Sequence, residues 1–334
     1  MIDEKLVSVQ KHPTADLFIY NYSARVQYEK LWNEVTLNTR GLILDANMNI
    51  VARPFGKFFN LEEHTPEEIP QLPFEVFEKL DGSLGILYWL NDMPQIATRG
   101  SFTSDQAKHA TELLHAKYSH TFDKLEKGKA YLFEIIYPKN RIVVDYGSMD
   151  DLVLLTIIDN QTGTESICDI GFPVVRRFDG INDLAQLKLL EEENKEGFVV
   201  LFQNGLRVKM KFAEYCRLHR IITGVSNVAV WEYLKEGKSF DELLKKVPDE
   251  FYNWLMQTKN ELESNYNVIY NDAYALFDKL YHRDKKTFAL RVLAEANGHA
   301  SILFNLHTGK KVDTVIWKMI RPEFSKPFKT DVDA

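Results

Sequence analysis

The sequence predicts an α+β protein in which antiparallel sheets flanked by helices are followed by an all-helical region. Runs of strand character recur as far as residue 212, and their connections are too short for the crossover helices that parallel strands need. From about residue 213, apolar residues recur at helical spacing in separate stretches, 251–262 and 268–280 among them, which Gly and Pro punctuate. We therefore expect two domains, residues 1–215 and 216–334, which a chain of 334 residues is long enough to form.

The first predicted strands precede an aromatic loop. Residues 17–22 and 39–45 have strand character, and Arg40 stands at the start of the second of these runs. Residues 50–61 are aromatic-dense and interrupted by Pro and Gly, which predicts a strand followed by a packed loop that presents Lys57. A lysine among phenylalanines is often only an apolar stem with a solvated head, so Lys57 alone is weak evidence for a site.

A lysine followed by an Asp-Gly turn occupies residues 74–90. Two apolar segments flank Asp81 and Gly82, which predicts a β-hairpin with Lys79 at the end of its first strand. An ordinary hairpin with a solvated lysine is the simpler interpretation. The complete pattern Lys-x-Asp-Gly-Ser is expected by chance in roughly one chain in two hundred of this size, so it needs support from elsewhere in the sequence.

The middle of the chain is predicted to form a helix and then three strands. Ser104 is a suitable N-cap for a helix whose apolar residues recur at helical spacing. Strands are expected at residues 130–137, 141–146 and 151–159. Glu134 interrupts the apolar pattern of the first of them, so its carboxylate is expected either on an exposed edge or among hydrogen-bond donors in a site.

A second pair of lysines follows a predicted hairpin. After an expected helix at residues 181–194, Glu196 leads into the strand 197–202, and an Asn-Gly turn connects it to the next strand. Alternation places Lys209 and Lys211 on one face of that strand. Two such lysines usually mark a solvated face, but together with Glu134 and Glu196 they favour a site.

Composition and charge restrict the class of protein. The net charge of −7 argues against a protein that coats nucleic acid, and the two cysteines have no metal-ligand spacing. We find no signal peptide or membrane span and expect a cytoplasmic location without membrane contact. Residues 213–334 carry 18 Lys and Arg against 17 Asp and Glu, so this region is the more basic one and can accept a phosphate polymer. Its basic residues include a cluster at Arg283, Lys285 and Lys286 and a group near the end that contains Lys326 and Lys329. A solubilising tail is the alternative.

These residue types suit transfer of a nucleotide to a lysine. An ε-amine is a weak nucleophile at neutral pH unless its charged form is disfavoured. Lys209 and Lys211, with a bound divalent metal, are expected to lower the pKa of Lys79 and to neutralise phosphates. We predict that Arg40 and Lys57 bind the outer phosphates of a nucleoside triphosphate. Glu134 is predicted to accept a hydrogen bond from a ribose hydroxyl, and Glu196 to hold the metal hydrate.

The motifs Lys79-Leu80-Asp81-Gly82-Ser83, Phe133-Glu134, Glu196-Gly197 and Lys209-Met210-Lys211 resemble, in order, those of covalent nucleotidyltransferases, the superfamily of ATP-dependent ligases and mRNA capping enzymes. The chain is more narrowly similar to the RNA ligase 1 family of phages. That similarity rests on Asn21-Tyr22, Thr39-Arg40-Gly41, Arg53-Pro54, Lys57-Phe58-Phe59-Asn60-Leu61, Arg99-Gly100-Ser101, Asn140-Arg141-Ile142-Val143 and Tyr215.

The resemblance implies an ATP-dependent RNA ligase with a nucleotidyltransferase domain. It implies that Lys79, in its motif with Asp81 and Gly82, is adenylylated and that Tyr215 matters for activity. It also implies contacts to ATP from Tyr22, Arg40, Lys57, Lys79, Glu134, Lys209 and Lys211. Mg²⁺ or Mn²⁺ is the implied metal, with Glu196 and, by a less secure alignment, Asp241 as its carboxylates. The implied partners are RNA with 5′-phosphate and 3′-hydroxyl ends, broken tRNA among them, and an end-healing kinase and phosphatase.

Two other functions remain open from the sequence. A capping-type or DNA-acting nucleotidyltransferase uses the same core motifs, although no oligonucleotide-binding barrel is recognisable after residue 215. A non-catalytic module that binds RNA ends is the alternative from another class. The presence of the lysine together with both carboxylates and both downstream lysines argues against it, because binding alone does not require a nucleophile.

Overall fold

The computed structural model describes residues 1–241, 247, 249–296 and 298–325. These residues form two compact units, of which the first comprises Met1–Arg217 and the second begins at Leu218. The first unit contains antiparallel sheets and helices, and the described part of the second unit is helical, so the α+β class predicted from the sequence is confirmed. In the described residues, no helix combines the length and apolar character that crossing a bilayer requires.

The first unit contains a four-stranded N-terminal sheet and two five-stranded sheets. The N-terminal sheet has the order β1-β2-β3-β4, with β1 Val7–Lys11, β2 Leu17–Tyr22, β3 Arg40–Asp45 and β4 Ile50–Ala52. Short helices α1 (Ala24–Glu29) and α2 (Glu34–Asn38) connect β2 to β3.

The second sheet, which we call the central sheet, follows the order β11-β10-β9-β7-β8. Its strands are β7 Ser83–Leu90, β8 Met93–Thr98, β9 Lys129–Ile136, β10 Asp151–Asp159 and β11 Glu165–Ser166. Helix α3 (Asp105–Tyr118) begins after Ser104, whose hydroxyl accepts a hydrogen bond from the Ala107 N–H as predicted for an N-cap.

The third sheet carries Lys79, Lys209 and Lys211, and we call it the lysine sheet. Its order is β12-β6-β13-β14-β5, with β5 Phe59–Asn60, β6 Phe74–Lys79, β12 Arg177–Phe178, β13 Gly197–Phe202 and β14 Arg207–Lys211. Strands β13 and β14 form the predicted Asn-Gly hairpin, whereas β5 pairs with β14 in the parallel direction. Helix α4 (Leu184–Leu187) precedes β13.

The core is layered around the central sheet. One of its faces packs on α3 through residues such as Leu87, Leu114 and Phe133, and another apolar cluster joins it to the N-terminal sheet through Ile19, Ile43 and Ile86. A smaller cluster joins it to the lysine sheet: Leu80, Ile136, Val153 and Val175, with Phe77 packed against them. The gap between these two sheets is therefore only partly filled, which leaves room for a site.

The predicted hairpin at Asp81 is wrong. Strand β6 pairs with β12 and β13, whereas β7 pairs with β8 and β9, so residues 80–82 cross from the lysine sheet to the central sheet. The local Asp-Gly signal is overridden because β6 and β7 each form ladders with partners that are distant in sequence, β13 and β9 respectively.

Two other predicted elements differ from the structure. Residues 141–146 form an irregular segment rather than a strand, because the N–H groups of Val143 and Val144 donate to the Asp81 carboxylate instead of to a sheet partner. The helix expected at residues 181–194 contracts to α4 and a 3₁₀ turn at Lys188–Leu190. Strand β1 has no counterpart in our predictions.

The helices that end the chain are α5 Ala213–Gly224, α6 Asn227–Glu236, α7 Asp249–Leu280, α8 Lys285–Glu295, α9 Ala300–His307 and α10 Asp313–Met319. The stretches 251–262 and 268–280, predicted as separate, belong to the single helix α7. Ala273, Ile302, Val312 and Ile316 form one core cluster of the second unit. Of the basic residues expected near the end, Lys326 and Lys329 lie outside the described residues.

Candidate active site

A cavity of about 660 Å³ lies between the central sheet and the lysine sheet. Its walls combine apolar side chains such as Phe55, Phe77 and Val199 with charged groups. An apolar cavity with a few convergent polar groups is typical of a small-molecule site. The charged residues that line it include Arg40, Lys79, Arg99, Glu134, Glu165 and Arg207.

Lys79 is held at this cavity by a buried carboxylate. Strand β6 ends at Lys79, directly opposite Gly197 of β13, and the preceding residue Glu196 is 3% exposed. Lys79 Nζ lies 2.9 Å from Glu196 Oε2, and Lys211 Nζ lies 2.7 Å from Glu196 Oε1. Register explains the arrangement, since Gly197 also pairs with Lys211 of β14. One carboxylate therefore fixes both amines.

The ionisation of Lys79 is governed by its carboxylate neighbours. Burial acts to lower the pKa of Lys79, but the negative charges of Glu196 and Glu134 outweigh burial, and the pKa is raised. Burial likewise acts to raise the pKa of Glu196, yet the charges of Lys79 and Lys211 lower it. The carboxylates thus dominate over the neighbouring cations at Lys79, and the lowering of its pKa by Lys209, Lys211 and a bound divalent metal together stays a prediction. The amine is poised as a cation beside an acceptor for its proton.

Lys209 is the amine whose pKa is lowered. Burial is the main cause, and the positive charges of Lys57, Lys211, Lys79 and Arg40 add to it, which brings the pKa to about 7. These four cations therefore lie close enough to Lys209 to affect its pKa. Although Lys57, Lys209 and Lys211 are not part of the cavity wall, they form a cationic rim with Arg40, which does line the cavity.

Glu134 faces the crossing between the sheets. Its Oε1 accepts a hydrogen bond of 2.9 Å from the Gly82 N–H, and burial raises the pKa of Glu134 to about 8. A Cβ at Gly82 would lie 2.5 Å from the Ile135 carbonyl oxygen, so only glycine allows this close approach. Gly82 therefore sets the position of Lys79 relative to Glu134.

Asp81 ties three parts of the first unit together. Its Oδ2 accepts hydrogen bonds from the N–H groups of Val143 and Val144, and its Oδ1 accepts one from the Tyr215 hydroxyl at 2.8 Å. The Asp81 N–H donates to the Tyr146 hydroxyl. Asp81 is 4% exposed, and burial raises its pKa. These contacts hold Asp81 and Tyr215 beside the lysine segment, which is a structural arrangement and not a contact with a reacting group.

The remaining predicted residues fall into two groups. Tyr22 adjoins the cationic rim, because the ammonium of Lys57 lies 5.6 Å from its ring centroid and Arg99 donates to its hydroxyl. Asp241 belongs to the second unit, is exposed, and donates its backbone N–H to the Ser239 hydroxyl. In the described parts of the chain, no group of three or more His, Cys, Asp or Glu residues could hold a metal.

The buried carboxylates nevertheless fit a magnesium or manganese ion in donor chemistry. Mg²⁺ is commonly held by one or two carboxylates together with substrate phosphates rather than by a complete protein cage. Glu134, which lines the cavity, and Glu196, which pairs with Lys79 of the cavity wall, supply such oxygens. A metal at Glu196 would have to share this carboxylate with Lys79 and Lys211.

Some site residues were missed from the sequence. Arg207 forms two hydrogen bonds with Glu165 across the cavity, at 3.0 and 2.6 Å, and its guanidinium lies 4.4 Å from the Phe55 ring centroid. Arg207 alternates with Lys209 and Lys211, so the pattern of β14 could have indicated it. No local signal indicated Glu165 or Tyr146, since their partners are distant in sequence.

Comparison with known proteins shows which proteins this chain resembles. A family model described as RNA ligase matches residues 38–215, just over half of the chain. A protein of Thermovibrio ammonificans that is provisionally named an RNA ligase is 32% identical over 221 residues, which cover 61% of this chain and 56% of that protein. The RNA ligase of Rhodothermus phage RM378 is 24% identical over 345 aligned positions, which cover 77% of each chain. The chain thus spans just over half the length of the first of these relatives.

A solved structure of Naegleria gruberi RNA ligase with PPi aligns with a TM-score of 0.41 and 18% identity, covering 52% of this chain and 60% of that chain.

Proposed function

Because the chain belongs to the phage-type RNA ligase 1 family, we propose that it is an ATP-dependent RNA ligase that joins a 5′-phosphate to a 3′-hydroxyl through a lysyl-AMP intermediate. The observation that carries this proposal is the position of Lys79. Its amine is paired with a buried carboxylate, beside Arg40 and Glu134 at the end of a cavity of about 660 Å³. A cavity of this size is large enough for a nucleotide.

The first chemical step is attack of the Lys79 amine on the α-phosphorus of ATP. A nitrogen–phosphorus bond forms, the bond from the α-phosphorus to the bridging oxygen breaks, and pyrophosphate leaves. The attacking amine must lose its proton, and Glu196 Oε2, 2.9 Å away, is an acceptor within hydrogen-bond distance. Arg40 and the cationic rim stabilise the negative charge on the phosphates.

In the two later steps, the AMP group is transferred and then released. An oxygen of the RNA 5′-phosphate attacks the phosphorus of lysyl-AMP, and the lysine leaves. The RNA 3′-hydroxyl then attacks the activated 5′-phosphate, a phosphodiester forms, and AMP leaves. Glu196 and Glu134 would hold Mg²⁺ or Mn²⁺, which supplies charge neutralisation and orientation of phosphates when bound. Asp241 remains a proposed metal ligand without support from its surroundings.

The test of this function is formation of a covalent adduct. Incubation with ATP labelled in the α-phosphate should give an acid-stable labelled protein, and Lys79→Ala should abolish the label. Lys108→Ala, at an exposed lysine of α3, is the matched control and should label like the wild type. The proposal fails if no adduct forms or if the adduct survives in Lys79→Ala. Labelled GTP, and DNA in place of RNA, test the capping-type and DNA-acting alternatives.

We assign the nucleotidyltransferase role to residues 1–215 and an RNA-contacting role to residues 216–334. Support for the second role is the cluster of basic residues at Arg283, Lys285 and Lys286, on and before α8. The proposed substrate class is broken RNA such as a cleaved tRNA loop, after an end-healing kinase and phosphatase have prepared its ends. The free thiols of Cys168 and Cys216 are compatible with a cytoplasmic setting.

A shortened chain tests this division of roles. A protein that ends at Val225 retains all of α5 and should still form the labelled adduct. Joining of broken tRNA stem-loops should fall more strongly than joining of unstructured oligonucleotides. If the two substrates are affected equally, the helical region does not select structured RNA.

A further inference from the structure

The ammonium group of Lys57 lies inside a cage of aromatic rings. Its Nζ is 5.2 Å from the ring centroid of Trp32, 5.3 Å from that of Phe59 and 5.6 Å from that of Tyr22. The rings also contact one another edge to face, with centroid distances of 4.9 Å for Tyr22–Trp32 and 5.4 Å for Trp32–Phe59. The charged head, and not only the apolar stem, therefore meets the rings.

Gln27 completes the cage. Its Oε1 accepts a hydrogen bond of 3.0 Å from Lys57 Nζ. An ammonium group carries three N–H donors. Gln27 takes one of them, and Tyr22 meets the ammonium with its ring. In the part of the chain that the structure describes, the remaining donors are available for oxygens of a ligand.

The cage is built on a rigid support. Helix α1 ends at Glu29 and is capped by Lys30 in the left-handed conformation, with φ 54°, and the Trp32 N–H donates to the Lys30 carbonyl. Asn33 then caps α2, because its side chain accepts hydrogen bonds of 3.0 Å from the N–H groups of Val35 and Thr36. Trp32 is thus fixed between the end of one helix and the beginning of the next.

The caged amine belongs to the cationic rim but lies outside the cavity wall. Among the charged neighbours of Lys209, Lys57 has the largest effect on the pKa of that lysine, ahead of Lys211 and Lys79. Trp32 does not line the cavity either, so it acts on a ligand only through Lys57. A fixed ammonium in the rim suits the outer phosphates of a nucleotide, which is the role predicted for Lys57 from the sequence.

We propose that Trp32 and Gln27 are positioning residues that hold the Lys57 ammonium for the outer phosphates of the nucleoside triphosphate. This inference rests on the proposed function of the same site. A free lysine side chain loses much rotamer freedom when it binds, whereas the cage has already ordered it. Trp is the most favourable ring for a cation, so its loss should matter most.

The prediction is a defect that is limited to the step that uses the triphosphate. Trp32→Leu should raise the KM for ATP in adduct formation by about 5- to 30-fold, the range expected for loss of a desolvated cation–π contact. Sealing of RNA that already carries a 5′-AMP group involves no outer phosphates and should stay within about twofold of the wild type. Trp32→Phe should restore most of the affinity, and Gln27→Leu should give a smaller increase in KM.

Controls separate this inference from a structural role and from the proposed function. Tyr28→Leu changes an aromatic residue that is 80% exposed on the same helix as Gln27, and should alter neither step. Equal losses in adduct formation and in sealing, or no change in the KM for ATP in both Trp32→Leu and Gln27→Leu, would overturn the inference. If the wild type forms no adduct, the proposed function fails. Calorimetric titration with magnesium pyrophosphate then tests the inference. Trp32→Leu and Gln27→Leu should bind pyrophosphate more weakly than the wild type does, and equal binding would contradict the inference.

Discussion

At the scale of single residues, the site depends on where buried charges find partners. Glu196 is the most consequential example, since it is almost fully buried and pairs with both Lys79 and Lys211. A buried carboxylate without partners is costly, and the charges of Lys79 and Lys211 stabilise the charged form of Glu196. Lys209 does not share this carboxylate, and burial with neighbouring cations lowers its pKa to about 7. Lys209 and Lys211, two residues apart on one strand, therefore have different charged partners.

Lys209 should make ATP binding depend on pH. With a pKa of about 7, Lys209 is mostly charged below that pH and mostly neutral above it in the free protein. Bound phosphates favour the ammonium form, so the protein must take up a proton when it binds ATP at higher pH. We expect ATP affinity to fall as the pH rises through about 7. Calorimetry at pH 8 in two buffers with different ionisation enthalpies should reveal the proton uptake.

The arginine variant identifies the group responsible for this dependence. Lys209→Arg keeps the positive charge at all relevant pH values and should flatten the pH dependence of ATP affinity. Glu134, whose pKa is about 8, titrates nearby and is unchanged in this variant. A profile that is as steep in Lys209→Arg as in the wild type would assign the dependence to Glu134 instead.

Tyr215 should contribute to stability through its hydroxyl. The hydroxyl donates to Asp81 Oδ1 at 2.8 Å in a buried setting. Hydrogen bonds to charged groups contribute about 1.5–3 kcal/mol, so Tyr215→Phe should lower the free energy of unfolding by about that amount. Urea unfolding measures the change, with Tyr28→Phe at an exposed tyrosine as the control. Equal stability of the two variants would mean that the Asp81 contact contributes little.

At the scale of elements, the important feature is the crossing between β6 and β7. These strands belong to different sheets, with Asp81 and Gly82 in the link between them, and the cavity lies where the sheets separate. Side-chain hydrogen bonds to Asp81 and the Gly82–Glu134 bond replace the ladder bonds that a hairpin would have made. The Asp-Gly pair, which was predicted to reverse the chain, instead forms a link between two sheets that begins directly after Lys79.

Gly82 should not tolerate a side chain at this crossing. A Cβ would lie 2.5 Å from the Ile135 carbonyl oxygen, which belongs to the backbone of β9. Relief requires movement of the link, and misplacement of a reacting group by about 1 Å can cost about 100-fold in rate. Gly82→Ala should therefore slow adduct formation by at least about tenfold and lower stability by about 1–3 kcal/mol. Gly128→Ala is the control, because no atom lies within 4 Å of its added Cβ.

At the scale of the whole first unit, the central sheet and the lysine sheet are joined by a charged contact across the cavity as well as by the apolar cluster around Leu80 and Val153. Glu165 belongs to β11 of the central sheet, and Arg207 belongs to β14 of the lysine sheet. Arg207 is only 13% exposed, and both its terminal nitrogens donate to Glu165. This paired contact fixes the separation of the sheets at a point where apolar packing is incomplete.

Loss of the pair across the sheets should destabilise the first unit. Glu165→Gln removes the charge and one of the two acceptors, and leaves a partly buried guanidinium without its counter-ion. We expect the free energy of unfolding to fall by about 1–3 kcal/mol. Lys127→Gln removes an exposed ion pair with Asp92 and should change stability much less than Glu165→Gln does. The interpretation is contradicted if chemical denaturation gives the same small change for both variants.

The sequence by itself determined the α+β class, most strands, the N-cap of α3 and the residue types of the site. These features depend on local spacing: alternation placed Lys209 and Lys211 on one face, and the order of motifs indicated an RNA ligase family. Only the tertiary structure decided that β6 and β7 lie in different sheets and that Lys79 shares Glu196 with Lys211. It also decided that the Trp32 ring packs against the ammonium group of Lys57. The physical reason is that charge pairing, close backbone approach and burial depend on distances between segments far apart in the chain, which local periodicity does not contain.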